Sequence, residues 1–215
     1  AFTAAHGSSL PVAGVFANDS RLNNDGETLK LEDALNGTIH EFTFNDNLPW
    51  PLAADNGYSL VLINPASNPD HDDAANWRSS AFPEGNPGGS DSLSPPADPT
   101  GDLDGNGIPD LVDFALGNHL GTSPIPPGLS RQAYDINGIL QDFLTMSYPV
   151  NIGADGVSIG IDVSTDLVNW QNAAANTEIV SEVNLGDGRA LRTVRFNLPI
   201  GGGDRHFLRL KITQN

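Results

Sequence analysis

Two stretches near the C-terminus alternate between apolar and polar side chains, with Phe207 the one apolar residue on the other face. Val194, Phe196 and Leu198 interleave with Thr193, Arg195 and Asn197, while Leu208, Leu210 and Ile212 interleave with Phe207, Arg209 and Lys211. Successive strand residues point to opposite faces, so this pattern needs a sheet with one apolar and one polar face. Asp-Gly or Asn-Gly pairs at 25–26, 36–37, 56–57, 155–156 and 187–188 tolerate positive φ and favour tight hairpins. The expected strands are 28–32, 38–44, 59–63, 140–148, 157–163, 177–183, 190–198 and 206–213. The fold class that follows is mainly β, antiparallel and sandwich-like.

Two segments lack this periodicity. FPEGNPGGSDSLSPPADPT, residues 82–100, and GTSPIPPGLS, residues 121–130, are rich in Pro, Gly and Ser and read as linkers. The expected organisation is a β module over 1–90, a linker over 91–100, a loop with a short helix over 101–120, a linker over 121–130 and a β module over 131–215.

Twenty-seven acids against ten bases give a net charge of −17. Phosphate recognition needs clustered Lys and Arg, so nucleic acid is not an expected partner, and anionic membrane surfaces are disfavoured for the same reason. No apolar run approaches the roughly 20 residues of a membrane-spanning helix. The first residues, AFTAAHGSSL, lack the basic start and apolar core of a signal peptide, so an export signal is expected outside this chain. Without cysteine there is no disulfide frame and no thiolate ligand.

Between the linkers lies GDLDGNGIPDLVDFALG, residues 101–117. Asp102, Asp104, Asn106, Ile108, Asp110 and Asp113 occupy positions 1, 3, 5, 7, 9 and 12 of a twelve-residue loop, with Gly107 at 6. Calcium takes its oxygen ligands in that order, Ile108 contributing a carbonyl and Asp110 acting directly or through water. Residues 98–130 hold five acids and no base, so a divalent cation would relieve self-repulsion there. Pro109 suits a helix start, Leu111, Val112, Ala115 and Leu116 form an apolar stripe, and Gly117 can end the helix. The expected cofactor is Ca2+.

The preceding SPPADPT rules out an entering helix, so the unit is a loop followed by one helix. It resembles dockerin-type and thrombospondin type 3-like calcium loops. A dockerin has two such loops. Aligning Asn137-Gly138 of YDINGILQDF to positions 5 and 6 places Ala133 and Leu144 at the ligand ends, so no second loop forms.

In the first module, Leu22–Leu31 form a strand–turn–strand with NNDGETLKL, followed by Trp50-Pro51, Gly57-Tyr58-Ser59-Leu60, Asn76-Trp77-Arg78 and Pro87-Gly88. In that order these pieces resemble the lamin-tail domain, an immunoglobulin-like β-sandwich found in large exported bacterial proteins. The resemblance covers about residues 1–90 and implies that the first strands of the domain are missing, with the chain a fragment or the strands supplied by a neighbour. The last module, with Ser164-Thr165-Asp166-Leu167, Trp170 and the closing HFLRLKIT, resembles a C-terminal β module of such proteins.

Other chemistry is sparse. Asp70-His71-Asp72-Asp73 reads as an exposed acidic turn, leaving open a second cation site. HGSSL near His6 is not a nucleophile elbow, and no phosphate-cradling GxxxxGK[ST] occurs. Trp50 and Trp170 are candidate sugar-stacking platforms, although packing is the usual fate of such rings.

The expected function is a non-enzymatic, calcium-stabilised accessory, adhesion or structural region of an exported bacterial multidomain protein, at the cell surface or secreted. Any catalytic domain would lie upstream. The alternatives are a carbohydrate-binding module of a secreted hydrolase, with polysaccharide as partner, and a filament subunit that self-assembles by strand exchange.

Overall fold

The computed structural model describes residues 2–12, 14, 21–53, 57–118, 123–201 and 205–215. The chain is mainly β and its strand pairings are antiparallel. It divides into two units, Ala1–Asp91 and Ser92–Asn215. Among the described residues no helix is long and apolar enough to cross a membrane.

The first unit opens with a five-residue helix, α1 (Phe2–His6), which the sequence did not announce. Strands β1 (Gly26–Glu32) and β2 (Thr38–Asn45) form one hairpin. Its turn is organised by Asp33, whose Oδ1 accepts the Leu35 and Gly37 N–H groups at 2.8 Å each. Strands β3 (Leu60–Leu62) and β4 (Trp77–Ser79) form a second pair. Aromatic contacts and one backbone bond join the two. Trp77 stacks on Phe42 at 5.5 Å, and the Thr43 N–H donates to Asp72 Oδ1 at 2.7 Å. The acidic turn thus occupies part of the open edge of β2. Asp91 ends the unit in a two-point pair with Arg78, at 2.7 and 3.2 Å, and also accepts the Ala81 N–H at 2.7 Å.

The second unit holds α2 (Asp110–Leu116) and strands β5 (Gly128–Ile136), β6 (Ile139–Asn151), β7 (Val157–Ser164), β8 (Gln171–Asn172), β9 (Thr177–Asn184), β10 (Arg189–Pro199) and β11 (Phe207–Gln214). The sheet orders are β5–β6–β10–β9 and β11–β7–β8, an arrangement consistent with a β-sandwich. Met146, Tyr148 and Val150 on β6 pair with Val194, Arg192 and Ala190 on β10, and all but Arg192 are at most 7% exposed. The exception is paired: Arg192 Nε donates to Glu182 Oε2 at 2.7 Å. Burial beside this pair pushes the Tyr148 hydroxyl above its ordinary range.

All eight expected strands appear, several of them longer than anticipated. Strand β5 begins at Gly128, inside the stretch that reads as a linker, and β4 and β8 also carried no signal. Asn137-Gly138, with φ of 55° and 83°, turns β5 into β6 as a tight hairpin. The residues from Ser92 onward also pack within this unit: the Leu93 N–H donates to the Gly153 carbonyl at 2.7 Å.

Candidate functional site

The acidic loop precedes α2, and local chemistry explains its course. Gly105 and Gly107 adopt φ of 73° and 85°, the left-handed region where a Cβ is costly. Asp102 organises the turn through both carboxylate oxygens, which accept the Asn106 and Gly107 N–H groups at 3.0 and 2.9 Å. Asp104 Oδ1 also accepts the Asn106 N–H, at 3.1 Å. Asn106 is the centre of the arrangement. Its side-chain amide donates to Asp104 Oδ2 at 3.0 Å and to Asp113 Oδ2 at 2.9 Å, and its Oδ1 accepts the Ile108 N–H at 2.6 Å. Asp110 faces the other way, accepting the Leu103 N–H at 2.9 Å.

Asp102, Asp104, Asn106 and Asp113 are therefore joined in one hydrogen-bonded group. Asp110 and the Ile108 carbonyl are not part of that group. Among the described residues no three His, Asp or Glu side chains gather closely enough to hold a metal ion. The donor set is nonetheless all oxygen, which is the chemistry calcium requires.

The helix end of the loop is set by long-range contacts. Pro109 caps α2 at φ −60°, ψ 140°, one position before the helix, and its carbonyl accepts the Val112 and Asp113 N–H groups at 2.8 and 3.1 Å. The buried face is Asp113–Leu116, so Phe114 joins Ala115 and Leu116 inside while Leu111 and Val112 are half-buried. Asn151, from the end of β6, donates to the Phe114 carbonyl at 2.9 Å and satisfies one of the last acceptors of the helix. Gly117 ends the helix at φ 73°; a Cβ there would lie 2.6 and 2.7 Å from Cγ and Cδ of Arg189. Arg189 is itself 4% exposed and held by Asp187 at 2.7 Å and by the Ser123 carbonyl at 3.0 Å. Asp113, 5% exposed, also accepts from Asn118 Nδ2 at 2.8 Å. Its carboxylate is thus presented from a rigid support.

Of the two candidate tryptophans, Trp50 is buried and Trp170 half-buried. Trp50 is 9% exposed with its ring 6.2 Å from that of Trp77, so packing takes the surface a sugar would need. Trp170 is half-buried, and the Arg209 guanidinium lies 4.2 Å over its ring. That arginine is fixed by the buried carboxylate of Asp162 at 3.0 Å. The Ser164–Asn169 turn beside it centres on Asp166. Hydrogen bonds from the Asn169 backbone and side chain, then from Val168 and Ser164, hold that carboxyl far below the ordinary carboxylate range.

In comparisons with known proteins, no family model, no curated protein and no solved structure matches the chain.

Proposed function

We propose that this chain is a non-enzymatic, calcium-stabilised accessory or adhesion region of an exported bacterial multidomain protein, acting at the cell surface or after secretion. Its first unit is the later part of an immunoglobulin-like lamin-tail domain. The observation that carries the calcium reading is that Asn106 is hydrogen-bonded to three carboxylates, its backbone N–H to Asp102 and Asp104 and its side-chain amide to Asp104 and Asp113. An N–H donor between carboxylates sits where positive charge is most stabilised, and residues 98–130 offer no Lys or Arg to supply it.

Asp102, Asp104, Asn106 and Asp113 would hold the ion with the Ile108 carbonyl, Asp110 acting directly or through water. The ion supplies countercharge and nothing else. The chain's own contribution is support: Asn151 and Arg189 fix the helix end, so the order gained on binding is transmitted to β6 and β10.

Extracellular calcium modules work at Kd of about 10⁻⁴–10⁻³ M. At calcium ten times Kd, binding stabilises the folded form by about 1.4 kcal/mol. Thermal melts with calcium and with a chelator test this. The expected result is a higher melting temperature with calcium, abolished in Asp104→Asn combined with Asp113→Asn. Identical melts with calcium and with chelator would overturn the reading.

A second reading has one specific observation in its favour. The first unit contains two-stranded sheets, and an isolated hairpin is marginal in water. Self-assembly through strands from another copy would complete it, and a monomer by light scattering at high concentration excludes that.

A further inference from the structure

We infer that the first unit carries a transition-metal site made by His40 and His71, separate from the acidic loop and of different chemistry. The ligand class is a divalent ion that favours imidazole nitrogen, such as Zn2+ or Cu2+.

Among the described residues, His40 and His71 are in ring contact with each other. His40 lies on β2 and His71 in the acidic turn, and their ring centroids are 4.4 Å apart at an interplanar angle of 72°. Each is held from behind. Phe42 lies 5.7 Å from the His40 ring and 5.5 Å from the His71 ring, and Trp77 lies 5.8 Å from the latter. The backbone of the turn is tied at three points. Trp77 Nε1 donates to the His71 carbonyl at 3.0 Å, Asn76 Nδ2 to the Asp70 carbonyl at 2.8 Å, and the Thr43 N–H to Asp72 at 2.7 Å. His71 is thereby pinned beside β2 while His40 stays exposed to solvent. Beside these aromatic contacts His40 is exposed and His71 half-buried, so solvent reaches both residues.

Zinc–nitrogen bonds of about 2.0–2.1 Å place two tetrahedral imidazole nitrogens roughly 3.3 Å apart. Such ligation sets the ring centroids about 5.2 Å apart, so the two rings, now 4.4 Å apart edge to face, must swing open by roughly 1 Å to share an ion. The surrounding charge favours a cation. Asp70, Asp72 and Asp73 lie in the turn and Glu41 is next to His40, while the nearby Lys30 is engaged by Glu32 at 2.8 Å and faces Glu41 at 3.9 Å. With two protein ligands the remaining positions go to water, so the ion is a reversible staple between the β1–β2 hairpin and the turn. Imidazole suits zinc, copper and nickel, whereas calcium selects oxygen, so the two sites sort cations by ligand type.

The test is titration of the whole chain with Zn2+ and with Cu2+. Calorimetry is expected to show one zinc equivalent whose affinity falls about tenfold or more in His40→Phe and in His71→Phe. Both variants keep a ring for packing and remove only the nitrogens, so a purely structural role predicts no change. His206→Phe, in the other unit, is expected to leave the affinity intact. Copper electron paramagnetic resonance is expected to show hyperfine coupling to two imidazole nitrogens. Zinc affinity unmoved by both Phe substitutions, or lost equally in His206→Phe, would overturn the site. Should either variant fold poorly, histidine-selective NMR of the unaltered chain decides. Zinc must shift the His40 and His71 resonances together while calcium does not, and a zinc titration that leaves them in place refutes the inference.

Discussion

The two units differ in what they bury, although both expose large apolar side chains. In Ser92–Asn215 Phe143, Met146, Tyr148 and Phe196 are all below 5% exposed, and Phe114 and Leu116 of α2 are at 5%, while Leu103, Leu140 and Val168 stay exposed. In Ala1–Asp91 the buried apolar residues are Trp50, Ala53, Ala74 and Ala81, while Leu22, Leu31, Leu35, Ile39 and Phe82 are exposed. The second unit is thus held by area removed from water. The first relies on ring contacts around Trp77, on turn carboxylates and on the Arg78–Asp91 pair. Burial scales with the number of sheet faces that can be covered, and a pair of two-stranded sheets covers few. A cation therefore has more to add to the first unit than to the second, where it would tie down a loop that already sits on a packed helix.

The largest effect that can break this contrast is in the second core. Phe196→Ala is expected to cost that unit about 3–5 kcal/mol, read as a shift of one calorimetric transition with the other unmoved. Transitions that shift together would mean that the units unfold as one. Next comes the support of the acidic loop. Gly117→Ala meets both a left-handed φ of 73° and the packed stem of Arg189, and is expected to cost about 1–3 kcal/mol. Asn151→Ala, which leaves the Phe114 carbonyl without its amide partner, is expected to cost a similar 1–3 kcal/mol. Both variants should also weaken calcium binding without touching a proposed ligand, which titration calorimetry checks.

Acid probes the ion pair that closes the first unit. Burial would raise the Asp91 carboxyl, but the Arg78 hydrogen bonds and the Ala81 N–H hold it below its ordinary value. A carboxylate lowered in the folded state contributes stability above its unfolded pKa of about 3.9 and loses it as pH falls through the folded value. Melts below pH 4 should therefore show a loss in the first unit that Asp91→Asn, already destabilised at neutral pH, does not repeat. The smallest effect is at Leu35, 89% exposed at a hairpin turn. Leu35→Ala is expected to stay within about 0.5 kcal/mol; a larger loss would show that this surface is covered in solution.

Much of the second unit was legible from periodicity. Alternation at 193–198 and 206–213 marks β10 and β11, where Val194 and Phe196 are buried and Leu208, Leu210 and Ile212 half-buried, although Leu198 is exposed. The helix after the acidic loop was equally plain. Strand β5 was not, because it is an edge strand whose side chains are almost all exposed, and SRQAYD has no apolar face to betray it. Nothing local to Pro49-Trp50-Pro51 says where the Trp50 ring packs; it lies beside Trp77, 27 positions away.

The loop shows the same division. Sequence alone determined its spacing of oxygen-bearing side chains, its glycine turns and its helix, because these are local matters of spacing and φ. Tertiary structure decided that Asn106 gathers Asp104 and Asp113, that Asn151 fastens the helix from β6, and that His40 meets His71 across two hairpins. No spacing rule predicts a contact between residues 31 or 37 positions apart. Such contacts exist because hydrophobic burial and strand pairing, which act without regard to sequence distance, bring those segments together.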